Sequence, residues 1–310
     1  MFDPISQRIY DDILSHLANV SPGRVALVLT DRARDRFANV LSTFSEERLV
    51  LLGLREKPAN DVALVVVVAC DVDDARPAYA AMSPAKEMGI PVVFCAPGRR
   101  VFDSIPEYKP IGLNYSGMFW LASQYIGTVK CRGAYCEFGV FDGMTFSLAY
   151  QLFEKKCDSF YAFDSFQGIG GAMETETTHF KDGDYYANVE TFRYNMKFIG
   201  ADTSRITATK GFFDHTLVGK MPADYGIEKI SIAHIDVDVY EPALQALEFI
   251  SSALVQGSLL LFDDYDQLGA SNEKGERRAV CEWLAAHPEL SIESYRNYAV
   301  FGRSFIVHRV

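Results

Sequence analysis

The segments Ser231–Tyr240, SIAHIDVDVY, and Ser258–Asp266, SLLLFDDYD, decide how the chain is read. Each is an apolar run of the kind that forms a buried parallel strand, and each ends in acids: Asp236 with Asp238, and Asp263 with Asp264. In an open α/β sheet, ligands bind at the carboxyl ends of the strands, so carboxylates placed there face a site rather than a core. A single aspartate would be an ordinary turn residue bonded to its local backbone. Four of them, on two strands separated by an amphipathic segment, make a cation pocket.

Upstream, AYCEFGVFDGMTFSLAYQLFEKK (Ala134–Lys156) reads as a strand, a turn of the form E-x-G-x-x-x-G (Glu137, Gly139, Gly143) and a helix. The helix buries Phe146, Leu148, Ala149, Leu152 and Phe153. Glycines without Cβ atoms let a ligand lie against the turn and the helix N-terminus. A second strand, SFYAFDSFQG (Ser159–Gly168), ends in Asp164 and Ser165. An acid at that spacing from the glycine turn can accept hydrogen bonds from both hydroxyls of a ribose. A third, RITATKG (Arg205–Gly211), runs into Phe212 and Phe213, one offering a ring to an adenine and at least one belonging to the core. Between them, Gly168 to Asn195 is polar, aromatic and aperiodic, an insertion read as a lid, with His179, Tyr185, Tyr186 and Arg193 either substrate contacts or surface loop residues without a role.

Downstream of the first acid pair, Leu244, Leu247, Ile250 and Leu254 follow helical spacing. GERRAVCEWLAAH (Gly275–His287) is a further helix, and SIESYRN with FGRSFIVHRV forms a closing hairpin. The N-terminal third is a separate small α/β unit. It has a leading helix Ile5–Ala18, a strand Arg24–Thr30, a helix Arg32–Phe44 and an apolar run Leu49–Leu54. A β-branched run Val62–Cys70, a helix through Met88 and a strand Pro91–Pro97 complete it, giving three or four parallel strands. Its first βα turn, Leu29 to Ala33, lacks glycine, and Asp31 would repel a phosphate, so it is expected to pack, oligomerise or orient substrate. Pro97–Asn114 reads as the linker, which divides the chain into domains 1–110 and 111–310.

With 310 residues, 49% hydrophobic and 23% charged, the composition is that of an ordinary globular protein. A formal charge of -11 argues against nucleic acid or an anionic membrane as partner and for a small molecule. The N-terminus MFDPISQRIYDDI shows no secretory pattern. The six cysteines lack a CxxC pair, which points to buried free thiols in a reducing, cytoplasmic compartment and away from zinc.

Asp236, Asp263 and Asp264 offer hard oxygen ligands suited to Mg²⁺ or Ca²⁺. Such an ion lowers the pKa of a bound hydroxyl. Under period-two alternation Asp238 shares a face with Asp236 and can take the departing proton. His234, one step deeper, reads as a core histidine hydrogen-bonded beneath the metal, with a second base as the alternative. Tyr240 and Tyr265 flank the acids, against the site or in the layer above the sheet.

The motif set YCEFGVFDG, FDSFQG, GDYYANVETFRYN, TKGFFDHTL, HIDVDVYEP, LLLFDDYD and RRAV resembles the macrocin (TylF-type) O-methyltransferases, over roughly Tyr115 to Val310. The resemblance implies a Rossmann-like class I methyltransferase sheet with a C-terminal antiparallel hairpin, preceded by the smaller α/β domain. It implies methyl transfer from S-adenosylmethionine to a hydroxyl of a sugar or natural product. By that resemblance Glu137, Gly139 and Gly143 line the methionine part of the cofactor and Asp164 its ribose, with Ser165, Gly211, Phe212 and Asp236 completing the cofactor site. Asp236, Asp263 and Asp264 hold Mg²⁺, and Asp238 is the base. A homo-oligomer is expected. The rival readings are an NAD-dependent nucleotide-sugar oxidoreductase, disfavoured by the missing GxGxxG spacing, and a non-catalytic cofactor-binding protein.

Overall fold

The computed structural model describes residues 4–20, 23–44, 48–70, 72–96, 113–170 and 183–310. His179, and the linker as far as residue 112, lie outside the described residues. The chain divides into two compact units: Met1–Tyr108 together with Tyr185–Gly200, and Lys109–Asp184 together with Ala201–Val310.

The first unit carries a parallel sheet in the order β2-β1-β3-β4, formed by β1 (Arg24–Leu29), β2 (Leu49–Leu51), β3 (Val62–Val68) and β4 (Val92–Cys95). The continuous valines of β3 are buried from Leu64 onward, as expected of a strand covered on both faces. Helix α1 (Pro4–Asn19) packs Ile9 and Ile13 into this core. The helix expected over Arg32–Phe44 is broken into α2 (Asp31–Arg36) and α3 (Ala38–Leu41), because Phe37 leaves helical ψ to bury its ring completely. The helix expected through Met88 likewise divides into α4 (Val72–Ala81) and α5 (Ser83–Glu87), with Pro84 in the first turn of the second. Thr30 closes the first βα turn with its own side chain. Its Oγ1 accepts from Ala33 N–H (3.2 Å) and donates to Asp74 (2.6 Å).

The second unit begins with α6 (Tyr115–Val129), β5 (Ala134–Phe138), α7 (Met144–Phe153) and β6 (Phe160–Asp164). The chain then passes through α8 (Val189–Phe198), which belongs to the first unit. It resumes with β7 (Ile206–Lys210), α9 (Phe213–Thr216), β8 (Ile230–Ile235), α10 (Tyr240–Ile250), β9 (Leu254–Phe262), α11 (Gly275–Ala286), β10 (Leu290–Tyr298) and β11 (Gly302–Arg309). The sheet order is β10-β11-β9-β8-β5-β6-β7, with β7, β6, β5, β8 and β9 parallel and the β10–β11 hairpin antiparallel against β9. Leu254, assigned from spacing to the helix before it, instead opens β9: α10 ends at Ile250 and the chain turns at once. Aromatic rings cement the sheet to its helices, with Phe138 stacked on Phe163 at 5.0 Å and both rings edge-on to Phe249.

The insertion read as an aperiodic lid contains a capped helix, and Tyr185, Tyr186 and Arg193 all fall in the first unit. Lys86 donates to the Tyr186 carbonyl (2.7 Å), and Asn188 donates to the carbonyls of Lys86 (2.9 Å) and Ile90 (3.1 Å). Thr191 accepts the N–H of Val92 (2.9 Å) on the edge strand β4, and Tyr194 meets His16 at 2.8 Å. Tyr185 is exposed, and Arg193 is exposed beside Glu190 on the same helix. Among the described residues no helix is long and apolar enough to cross a membrane. All six cysteines are free and five are buried, but Cys281, on the outer face of α11, is exposed.

Candidate active site

The parallel ladder extends one hydrogen bond past the ends of the strands. Gly139 N–H reaches Phe163 O (2.9 Å), Asp236 reaches Phe138 O (2.9 Å), Asp263 reaches Ile235 O (3.0 Å) and Gly211 reaches Asp164 O (2.9 Å). Four residues singled out in the sequence are thereby aligned along the carboxyl edge of one sheet, with β5 and β8 adjacent at the topological switch point.

Gly139 has φ +81°, and a Cβ on it would lie 1.8 Å from the Asp236 carbonyl oxygen. The close approach it permits is therefore to the protein's own backbone, joining the ends of β5 and β8. Gly143, at φ +85°, caps α7. Glu137 is fully buried, accepting from the Tyr135 hydroxyl at one oxygen and from Thr145 (2.6 Å) at the other. Asp164 clasps the glycine turn, accepting from the N–H groups of Phe166 (2.6 Å), Val140 (2.7 Å) and Phe141 (2.9 Å). Burial raises its pKa, and those N–H groups oppose the rise. Ser165 donates to Gly168 O (2.8 Å). Phe213 is a core residue, whereas Phe212 is 40% exposed, its ring 2.7 Å from where a Cβ on Gly170 would sit.

Asp236, Asp263 and Asp264 each present a carboxylate oxygen, all within 4.8 Å of one another. Burial raises the pKa of Asp236 well above its ordinary value, and repulsion from Asp263 and Asp264 adds to it. Burial also raises Asp263, against the opposing influence of His234 and of the Tyr115 hydroxyl that donates to it. Asp264 is pushed up to about 9 by burial and by Asp238, to which it is hydrogen-bonded, and Asp238 is pushed to about 6 by burial. Hard oxygen donors, crowded and repelling one another, fit a hard divalent cation, whose charge would favour their ionised forms.

Strand alternation is not what brings Asp238 to the cluster. β8 ends at Ile235, and Asp238 sits beyond it at φ +64°, so the reversal of the chain aims its carboxylate at Asp264. His234 is a core residue, edge-on to Phe119, but neither ring nitrogen has a hydrogen-bond partner. Its nearest acid, Glu137, lies 3.8 Å from Nδ1 with both oxygens engaged by Tyr135 and Thr145. Tyr265 fills the layer over the sheet against Phe305, and Tyr240 bonds Glu282 (2.5 Å) under the Arg278 guanidinium. Sequence reasoning missed two neighbours of the acids. Tyr115 stands at the start of α6, and Glu276 in the first turn of α11 accepts from Asp264 N–H (3.2 Å). An acid in a first helical turn reads as complementing the helix dipole, which carried no signal of a site.

The strand order and the closing hairpin define a Rossmann-like α/β fold, shared with solved methyltransferase structures. Over residues 121–287, more than half of its length, the chain matches the family described as Macrocin-O-methyltransferase (TylF). It belongs to that family and is an S-adenosylmethionine-dependent O-methyltransferase, which sets aside the oxidoreductase and non-catalytic readings. Among solved structures it resembles the O-methyltransferase NovP at 18% identity, covering 62% of this chain and 78% of that one with a TM-score of 0.51. It also resembles CalS11, a calicheamicin methyltransferase, at 20% identity, covering 63% and 80% with a TM-score of 0.50. At these identities the likeness is one of fold. No curated protein matches.

Proposed function

We propose that the enzyme methylates a hydroxyl of a sugar or natural-product glycoside, with a divalent cation, Mg²⁺ by ligand chemistry, held by Asp236, Asp263 and Asp264. The observation that carries this is the convergence of three carboxylates within 4.8 Å, on the edge that also carries the glycine turn. The acceptor class draws support from the macrocin in the family's description and from the name of one structural neighbour, a calicheamicin methyltransferase.

When bound, the cation supplies positive charge that lowers the pKa of an acceptor hydroxyl. The donor's sulfonium already makes its methyl electrophilic, so the chain's own residues have to bind, orient and deprotonate. The Gly139–Gly143 turn, Asp164, Ser165, Gly211 and Phe212 border the methyl donor. Tyr115 holds Asp263 through its hydroxyl, and Asp238 takes the acceptor proton. The test is transfer of a labelled methyl group to a set of glycosides, with Mg²⁺ or with excess EDTA. Activity is expected to vanish on chelation and return with Mg²⁺. Full activity in EDTA would remove the cation from the reading.

A further inference from the structure

Glu276 differs from the other acids of the cluster in coming from a helix rather than a strand end. It is 1% exposed, in the first turn of α11. One carboxyl oxygen accepts from Asp264 N–H (3.2 Å), and the other is buried with no hydrogen-bond partner. Its acidic neighbours are Asp264, Asp263 and Asp238. The residue before it is a glycine in the left-handed region, a conformation that L side chains rarely adopt. Gly275 has φ +55°, and a Cβ on it would lie 3.7 Å from the Asp238 carbonyl.

A half-satisfied buried carboxylate among like charges destabilises the fold, whereas a neutral amide could accept the same Asp264 N–H without the repulsion. Folding alone therefore gives no reason for a charge at this position. A cation among Asp236, Asp263 and Asp264 does. We infer that Glu276 is a positioning residue of the metal centre, an outer carboxylate that holds Asp264 by its backbone and adds negative charge behind the three ligands. Groups behind metal ligands orient them and typically contribute about 10–100-fold to metal affinity. The role rests on the metal reading proposed above.

The test is Mn²⁺ binding to the full chain with S-adenosylhomocysteine present, followed by electron paramagnetic resonance, alongside the melting temperature without metal. Glu276→Gln is expected to weaken Mn²⁺ binding about 10–100-fold, while the metal-free melting temperature holds or rises and S-adenosylhomocysteine affinity is unchanged. Glu276→Asp, which keeps the charge, should recover most of the Mn²⁺ affinity. Wild-type Mn²⁺ affinity in Glu276→Gln, or equal losses in the Gln and Asp variants, would overturn the role while leaving the metal reading intact. Absence of Mn²⁺ binding to the wild-type protein would overturn both.

Discussion

Asp238 illustrates how much chemistry rests on one backbone conformation. A left-handed φ on a non-glycine residue costs roughly 1–2 kcal/mol, and aspartate tolerates it better than most. Here that conformation turns the side chain toward Asp264 instead of along the strand. Asparagine adopts the same turn and keeps a hydrogen bond but takes no proton. Asp238→Asn is therefore expected to bind S-adenosylmethionine normally in calorimetry while kcat falls about 10²–10⁴-fold. Wild-type kcat would assign the base elsewhere. Lys86 is the residue where pH should register in stability. It is 2% exposed, bonded to the Tyr186 carbonyl and 3.7 Å above the Tyr79 ring, and burial lowers its pKa to about 7. Because the folded value lies below the unfolded one, the penalty of burying the charge is complete below about pH 7. It is relieved as pH rises toward the unfolded value, where the unfolded chain holds the extra proton. Urea unfolding is expected to show stability gained between pH 7 and 9 in the wild type relative to Lys86→Met. Parallel pH profiles for the two proteins would contradict this.

Elements in this protein are held by a few polar residues at their ends. Asn188 caps α8 by accepting from Thr191 N–H (2.9 Å) and uses its amide on two carbonyls of the first unit. Asn188→Ala removes a helix cap and leaves buried acceptors unmatched, which should cost about 2–3 kcal/mol, read as a lower urea midpoint at unchanged slope. At the same scale, the ends of β5 and β8 meet only because residue 139 has no side chain. The element-level pattern was largely legible. Apolar runs ending in turn residues marked the strands. Where the reading failed, a tertiary demand had overridden local periodicity. Phe37 breaks a helix to fill a core, and α8 is a helix that nothing in its polar surroundings announced.

At the scale of the whole molecule, the first unit is discontinuous, completed by Tyr185–Gly200 from within the methyltransferase sequence. Val189, Phe192 and Met196 of α8 are buried. Residues 109–310 expressed alone should therefore expose an apolar helix face and elute as aggregates in gel filtration. Replacing 185–200 in that fragment by a short flexible linker should restore a single species. Equal behaviour of the two fragments would show that α8 does not depend on the first unit.

The sequence by itself determined the strands, their order of chemistry and the acids at their ends. Burial on both faces and a carboxylate at a strand terminus are local properties, written in consecutive residues. Only the tertiary structure decided the rest. The close backbone approach of Gly139 to Asp236, the hydrogen bond of Asp238 to Asp264, and the placing of Tyr115 and Glu276 behind the acids all depend on contacts between segments far apart in the chain. Close packing and the low dielectric of a buried site make those contacts matter, and neither exists until the sheet has assembled.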